Sequence, residues 1–152
     1  MVDRISKSQR SWNMSRIKAK DTKPEMIVRS LLHNMGFRFR LHGLISKRIH
    51  PKGVLPGKPD IVLAKHKSVV FVHGCFWHQH PGCKQATMPK TRKDYWQDKL
   101  EKNVIRDAKA VSALGFLGYK VIIVWECETN NANLSILMKK LAEKIKRGKE
   151  IH

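Results

Sequence analysis

The chain has 152 residues, of which 41% are hydrophobic, with 31 Lys and Arg against 12 Asp and Glu and a formal net charge of +19. That length suits one domain with a substantial core and no need of disulfides, and no stretch approaches the ~18 apolar residues of a membrane span. The charge exceeds what solubility requires and implies a polyanionic partner, nucleic acid before a membrane surface, because the cations are spread along the chain rather than gathered on one amphipathic helix.

Met1–Lys7 carries no apolar signal core, so the chain is expected to stay in a reducing cytoplasm. The 3 cysteines, an odd number, then favour metal ligation or inert burial over a disulfide framework. Residues 1–23 are polar and basic, with Trp12, Met14 and Ile17 the sizeable apolar side chains after Ile5, and read as a basic N-terminal arm of the kind that reaches around a duplex. Residues 24–152 read as a single domain.

Thr22-Lys23-Pro24-Glu25 predicts a capped helix whose inner face is Ile27, Val28, Leu31, Leu32 and Met35, stopped by Gly36. Phe37–Leu41 alternates as a half-buried strand does. Residues 42–58, with Gly43, Pro51, Gly53, Pro56 and Gly57, read as a surface loop. Pro59–Ala64 and Ser68–His73 are apolar runs expected to be adjacent buried strands. A second cap signal at Thr91–Asp94 opens a long helix to about Gly115, with Leu100, Val104, Ala108, Val111 and Leu114 inward. Tyr119–Glu126 is a further central strand, and Leu134, Leu137, Met138, Leu141 and Ile145 mark a final amphipathic helix. The expected fold class is therefore α/β, a central mixed sheet flanked by helices.

Phe71–Cys83 holds the densest chemistry: two thiols, three imidazoles and the adjacent Phe76 and Trp77. Cys75, His80, Cys83 and Cys127 have the donor types of a closed Cys3His zinc site, although Cys127 alone also reads as a buried thiol. Asp60, at the start of an apolar strand, is costly to bury unless paired or bound to a cation such as Mg2+; a turn or cap aspartate is an equal alternative. His73 and His78 are each able to take a proton near neutral pH, and either is also a possible zinc ligand in place of His80. Glu25 is explained by helix capping alone. Phe76 and Trp77 cannot both enter one core from a regular strand, so on an irregular loop they, with Trp96, become candidates for base stacking or wedging.

Gly57-Lys58-Pro59-Asp60, Val70–His78, Pro89–Arg92 with Tyr95, Trp96, Lys99, Lys102 and Asn103, and Val121–Cys127 together resemble the very-short-patch-repair DNA mismatch endonucleases over about residues 12–128. Asn13-Met14 and Asp21-Thr22 with Glu25 fit the same pattern. The resemblance implies a restriction-endonuclease-like fold with a structural zinc site. It further implies a Mg2+-dependent nick 5′ of the thymine in a T:G mismatch left by deamination of 5-methylcytosine. By position, Asp60 and the backbone carbonyl of Val72 become Mg2+ ligands, Glu25 and His73 hold metal-bound waters, and His78 is the base. Cys75, His80, Cys83 and Cys127 match the zinc ligands. Phe76, Trp77 and Trp96 match the inserted aromatics, and Met14, Lys99 and Asn103 fall where the family meets the mismatched pair. A monomer acting on double-stranded DNA at the bacterial nucleoid is expected, with other mismatch-repair proteins as candidate partners and no membrane association.

Three departures stand out. Residues 42–51 look like an insertion before Asp60, Val72 stands where a well-known member has threonine, and Pro81-Gly82 lengthens the gap before Cys83 by one residue, leaving His78, Gln79 and His80 as alternatives for the zinc. The rival readings are a non-catalytic zinc-stabilised DNA-binding module and a restriction-type nuclease that cuts both strands.

Overall fold

The structure, a computed structural model, describes residues 21–146. Met14 and most of the expected arm lie outside the described residues.

Helix α1 spans Lys23–Asn34; the Thr22 side chain accepts the Glu25 N–H at 3.4 Å, and Pro24 stands in the first turn, where its missing N–H is no loss. The helix ends at Met35 with the N–H groups of Gly36 and Phe37 returning to the carbonyls of His33 and Leu32, both at 3.0 Å, while Gly36 adopts φ +85°. That closure shortens the strand expected over 37–41. The Phe37 N–H is committed to the helix end and the partner strand stops at Leu63, where Ala64–His66 turns away, so pairing is confined to β1, Arg40–Leu41, while Phe37 and Phe39 still pack on the core.

Strands β2 (Ile61–Leu63), β3 (Ser68–His73) and β4 (Lys120–Trp125) complete a four-stranded sheet in the order β1-β2-β3-β4. The first two pairings are antiparallel, and β3 with β4 is parallel, from Ser68↔Lys120 to His73↔Trp125. The parallel pair needs a long crossover, supplied by α2, Lys93–Phe116; a last helix, α3, covers Leu134–Lys146. This is the mixed α/β sheet with flanking helices that the sequence predicts.

Strand alternation divides the core. Ile61, Leu63, Val70, Ile122 and Val124 face α1 and α3, against Val28, Leu32, Leu137, Leu141 and Ile145. On the other face Val62, Val69 and Phe71 meet Leu114 and Tyr119, with Ala110 packed beside them. Here three expectations are corrected. Helix α2 buries Leu100 and Leu114, whereas Val104 is 43% exposed and Ala108 is exposed too, because the inward stripe between those leucines is Asn103, Asp107 and Ala110. Thr91 is not its cap: the helix is entered through Arg92 at φ +53° without a side-chain cap, which lays the Arg92 guanidinium 4.7 Å from the Tyr95 ring centroid. Residues 42–58 are not a plain surface loop, since Ile45 and Leu55 are 5% and 2% exposed within the second core cluster.

Candidate active site

An open cleft of about 700 Å3 lies where β2 begins and β3 and β4 end. Its walls carry Glu25, Asp60, Asp107 and Glu126, four of the 12 acidic residues in a chain of net charge +19. Carboxylates lining one cleft are oxygen donors of the type a hard cation prefers, although among the described residues no three of these four bring their oxygens together.

Asp60 stands one residue ahead of β2, and its Oδ2 accepts the Val72 N–H at 2.7 Å. That bond reaches across to β3, twelve residues on, so it is a strand-to-strand contact and not a turn or cap bond. Desolvation by burial, opposed by that hydrogen bond and reinforced by the Glu25 carboxylate, holds its carboxyl up at about 6. Glu25 is 3% exposed; its Oε2 accepts from the Asp21 N–H at 2.8 Å and the Arg29 Nη2 at 3.3 Å. Capping therefore accounts for only part of the environment of Glu25, which also faces the cleft. Val72 lines the cleft while its side chain packs against the α1/α3 core, so valine there leaves the backbone available.

His73 ends β3 on the α2 side, 5% exposed, and its ring is stacked on His78 with centroids 3.9 Å apart and planes 8° from parallel. Burial, with the neighbouring His78, lowers the His73 pKa to about 4, so it is neutral at physiological pH. His78 Nδ1 lies 2.6 Å from Asp107 Oδ2. His73, His78 and Asp107 have donor atoms within 4.8 Å of one another. Imidazole lone pairs lie in the ring plane, and two parallel stacked rings cannot aim both at one ion, so this trio is a stacked imidazole pair with one ring held by a carboxylate. Asp107 was not singled out from the sequence. Its place on the Leu100–Asn103–Asp107–Ala110–Leu114 stripe was the available signal.

The segment after β3 turns tightly, with His78 N donating to Gly74 O at 3.1 Å and His80 N to Cys75 O at 2.9 Å. Those turns send His78 toward Asp107 and His80 toward the cysteines. Cys75, His80, Cys83 and Cys127 have donor atoms within 4.8 Å of one another, and His80 Nδ1 is 3.6 Å from Cys75 Sγ and 3.5 Å from Cys127 Sγ. Tetrahedral zinc with bonds of about 2.3 Å to sulfur and 2.05 Å to nitrogen separates such donors by about 3.6 Å. The residues fit the metal. Neither His78 nor Gln79 joins this cluster, and the extra residue of Pro81-Gly82 is absorbed in an exposed turn closed by Cys83 N to His80 O at 3.3 Å. Burial pushes the Cys75 thiol up to about 12, so binding of a cation there would be coupled to release of the thiol proton.

Beside the cleft, Phe76, Trp77 and Trp96 form a half-buried cluster with centroids 5.2, 5.5 and 6.0 Å apart, extended by Tyr95 at 5.2 Å from Trp96. The Lys99 ammonium lies 5.6 Å from the Trp77 ring centroid. Asn103 donates its Nδ2 to the Trp77 carbonyl at 3.1 Å, which fixes the aromatic loop to α2. Sequence reasoning passed over Tyr95 as a site residue although it adjoins Trp96.

The family model of the DNA mismatch endonuclease Vsr matches residues 2–85, and the DNA mismatch endonuclease Vsr of Escherichia coli is 42% identical over 127 residues, 84% of this chain and 75% of that protein. The chain belongs to the Vsr family of DNA mismatch endonucleases. Two further Vsr-like relatives are the type II nicking enzymes V.XorIIP of Xanthomonas oryzae, 46% identical over 131 residues (86% of this chain, 89% of the relative), and V.NmeAIP of Neisseria meningitidis, 47% identical over 131 residues (86% and 86%). Vsr membership implies a restriction-endonuclease-like fold, in keeping with the mixed sheet and its helices. No helix among the described residues is long and apolar enough to cross a membrane.

Proposed function

We propose that this DNA endonuclease nicks one strand of duplex DNA on the 5′ side of the thymine in a T:G mismatch arising from 5-methylcytosine deamination, with Mg2+ as cofactor and a structural zinc. The observation that carries the reading is the convergence of Asp60, Glu25 and the His78–Asp107 pair on one cleft beside an aromatic cluster.

Asp60 and the Val72 carbonyl would hold Mg2+, with Glu25 and His73 orienting its waters. When bound there, Mg2+ neutralises charge at the scissile phosphate and leaving oxygen. Asp107 takes the Nδ1–H of His78, fixes the tautomer and leaves Nε2 as the nitrogen that accepts the proton of the attacking water. His73, held neutral and stacked on His78, limits rotation of that ring without adding a second positive charge. Phe76, Trp77 and Trp96 enter the stack beside the mismatch, where a weakened pair makes unstacking cheaper than in paired DNA. Lys99 and Asn103, against Trp77, meet the mismatched pair and steady the aromatic loop. Cys75, His80, Cys83 and Cys127 would hold zinc, which supplies a clamp between the ends of β3 and β4.

The deciding experiment is a nicking assay on duplexes labelled on each strand, with T:G, other mismatches and fully paired controls, with and without Mg2+. One nick 5′ of the mismatched thymine is expected. Tight binding without cleavage makes the chain a DNA-binding module, and cleavage of both strands in paired DNA makes it a restriction-type nuclease.

A further inference from the structure

Residues 43–55 play no part in that chemistry, yet they are built with care. Leu44 and Val54 form an antiparallel bridge. Ile45 N donates to Gly53 O at 3.0 Å and Leu55 N to Gly43 O at 2.9 Å, and the tip is closed by Ile49 N and His50 N reaching Ser46 O at 2.9 and 3.1 Å. Ile45 and Leu55 root this hairpin in the core beneath the sheet. Gly43 has φ +72°, and a Cβ there would lie 2.8 Å from Lys58 Cα, so the root is pressed against the segment that forms the cleft rim at Gly57 and Lys58.

The tip is cationic. Lys47, Arg48 and Lys52 are exposed, and the sequence has no Asp or Glu between Glu25 and Asp60. The ion pairs among the described residues all lie elsewhere, and none of these three has a carboxylate partner among those residues. An ordered hairpin carrying uncompensated cations repels itself until a polyanion arrives.

We propose that hairpin 43–55 is a separate DNA-contact surface that grips the phosphate backbone beside the cleft through Lys47, Arg48 and Lys52, without reading sequence. The inference rests on the reading of the cleft as a duplex-DNA site. From Lys52 to Lys58 an extended chain spans at most about 20 Å, so with one phosphate on each strand per about 3.4 Å of helix axis the gripped phosphates fall within roughly six to eight base pairs of the cleft.

The test is equilibrium binding of the full chain and of Lys47→Ala/Arg48→Ala/Lys52→Ala to mismatched and matched duplexes across a salt series, with single-turnover nicking at saturating DNA. The slope of log K against log salt should fall by about 0.9 for each phosphate that is no longer neutralised, close to 3 in all. Affinity for matched and mismatched duplexes should drop by the same factor, and the single-turnover rate should hold. A second measurement uses the unsubstituted protein: trimming the duplex to below about six base pairs on the hairpin side should reproduce the reduced slope. An unchanged salt slope in a variant that still nicks at the normal rate overturns the hairpin alone. A loss confined to mismatched DNA also overturns it, since the grip would then be reading the lesion. An unsubstituted chain that binds no duplex overturns the inference and the functional reading together.

Discussion

Asp60→Asn should stabilise the protein while abolishing nicking. Burial, chiefly, raises the Asp60 carboxyl from 3.8 to about 6, and at about 1.4 kcal/mol per pH unit the ionised carboxylate costs roughly 3 kcal/mol in the native state at neutral pH. Asp60 is only partly buried, so solvent screening reduces the observable to about 1–3 kcal/mol, or a rise in Tm of roughly 2–10 °C for a domain of this size. Asparagine keeps an oxygen that can accept the Val72 N–H, now 2.7 Å from Asp60 Oδ2. The sign follows from proton linkage. The native state holds this proton more tightly than the unfolded chain, so the penalty is absent below about pH 4, grows as pH rises through the interval up to about 6, and is complete above it. Urea unfolding of both proteins from pH 4 to 8, without added Mg2+, gives the difference directly, and groups common to the two cancel. A variant no more stable than the parent at pH 7.5, or a difference that does not vary with pH, would falsify the account of Asp60 as a strained carboxylate awaiting a cation.

The remaining expectations concern neighbouring parts of the same machinery. His78→Ala should reduce single-turnover nicking by about 10²–10⁴-fold with DNA affinity retained; a rate equal to that of the parent removes His78 as the base. Asp107→Asn should cost at least about tenfold in rate through loss of the fixed tautomer, with Mg2+ affinity, followed by calorimetry, little changed. Cys127→Ser should lower zinc content, measured by elemental analysis, from one per chain to near zero and destabilise the fold by roughly 4 kcal/mol or more; zinc-free parent protein would discard the four-ligand site. Trp96→Ala should weaken mismatch binding by about 1–3 kcal/mol in a titration and narrow the preference over paired DNA.

What was legible in the sequence tracks where local signals act alone. Helix α1 was written in Thr22, Pro24 and Gly36, and β3 and β4 in unbroken apolar runs, because no tertiary contact had to override them. The strand expected over 37–41 shrank to Arg40–Leu41 because alternation cannot report that the Phe37 N–H is used by the end of α1 or that its partner strand β2 stops at Leu63. The face of α2 was misassigned for a more instructive reason. Apolar counting chose Val104 and Ala108, but the stripe between Leu100 and Leu114 faces a cleft and there needs Asn103 and Asp107. Asp107 was hidden by the same rule, since an acid between Arg106 and Lys109 resembles a solvated charge run. Binary patterning reports burial against a core, and it inverts where an element is buried against a site. Residues 42–58 were misjudged because Gly and Pro mark turns without saying whether Ile45 and Leu55 between them reach a core.

The parallel pair β3 and β4 explains why the stacked histidines and the thiol cluster lie side by side. Parallel strands bring their carboxyl ends to one edge, where ligands of α/β folds commonly gather; here that edge delivers His73 and Trp125 in register. Trp125 then stands between the clusters, edge-on to His73 at 5.3 Å and stacked on His80 at 4.1 Å. Cys75 follows β3 and Cys127 follows β4, so closing the thiol cluster fixes the separation of the two strand ends and the short loop that carries Phe76, Trp77 and His78. In the proposed reading such a clamp would serve the loop, which is irregular and half-exposed and is otherwise held by the aromatic cluster with Trp96 and the Asn103 bond to the Trp77 carbonyl. In the proposed reading, a zinc clamp on the far side of Trp125 would let soft thiolates serve the fold while the hard carboxylates of Glu25 and Asp60 serve the cleft.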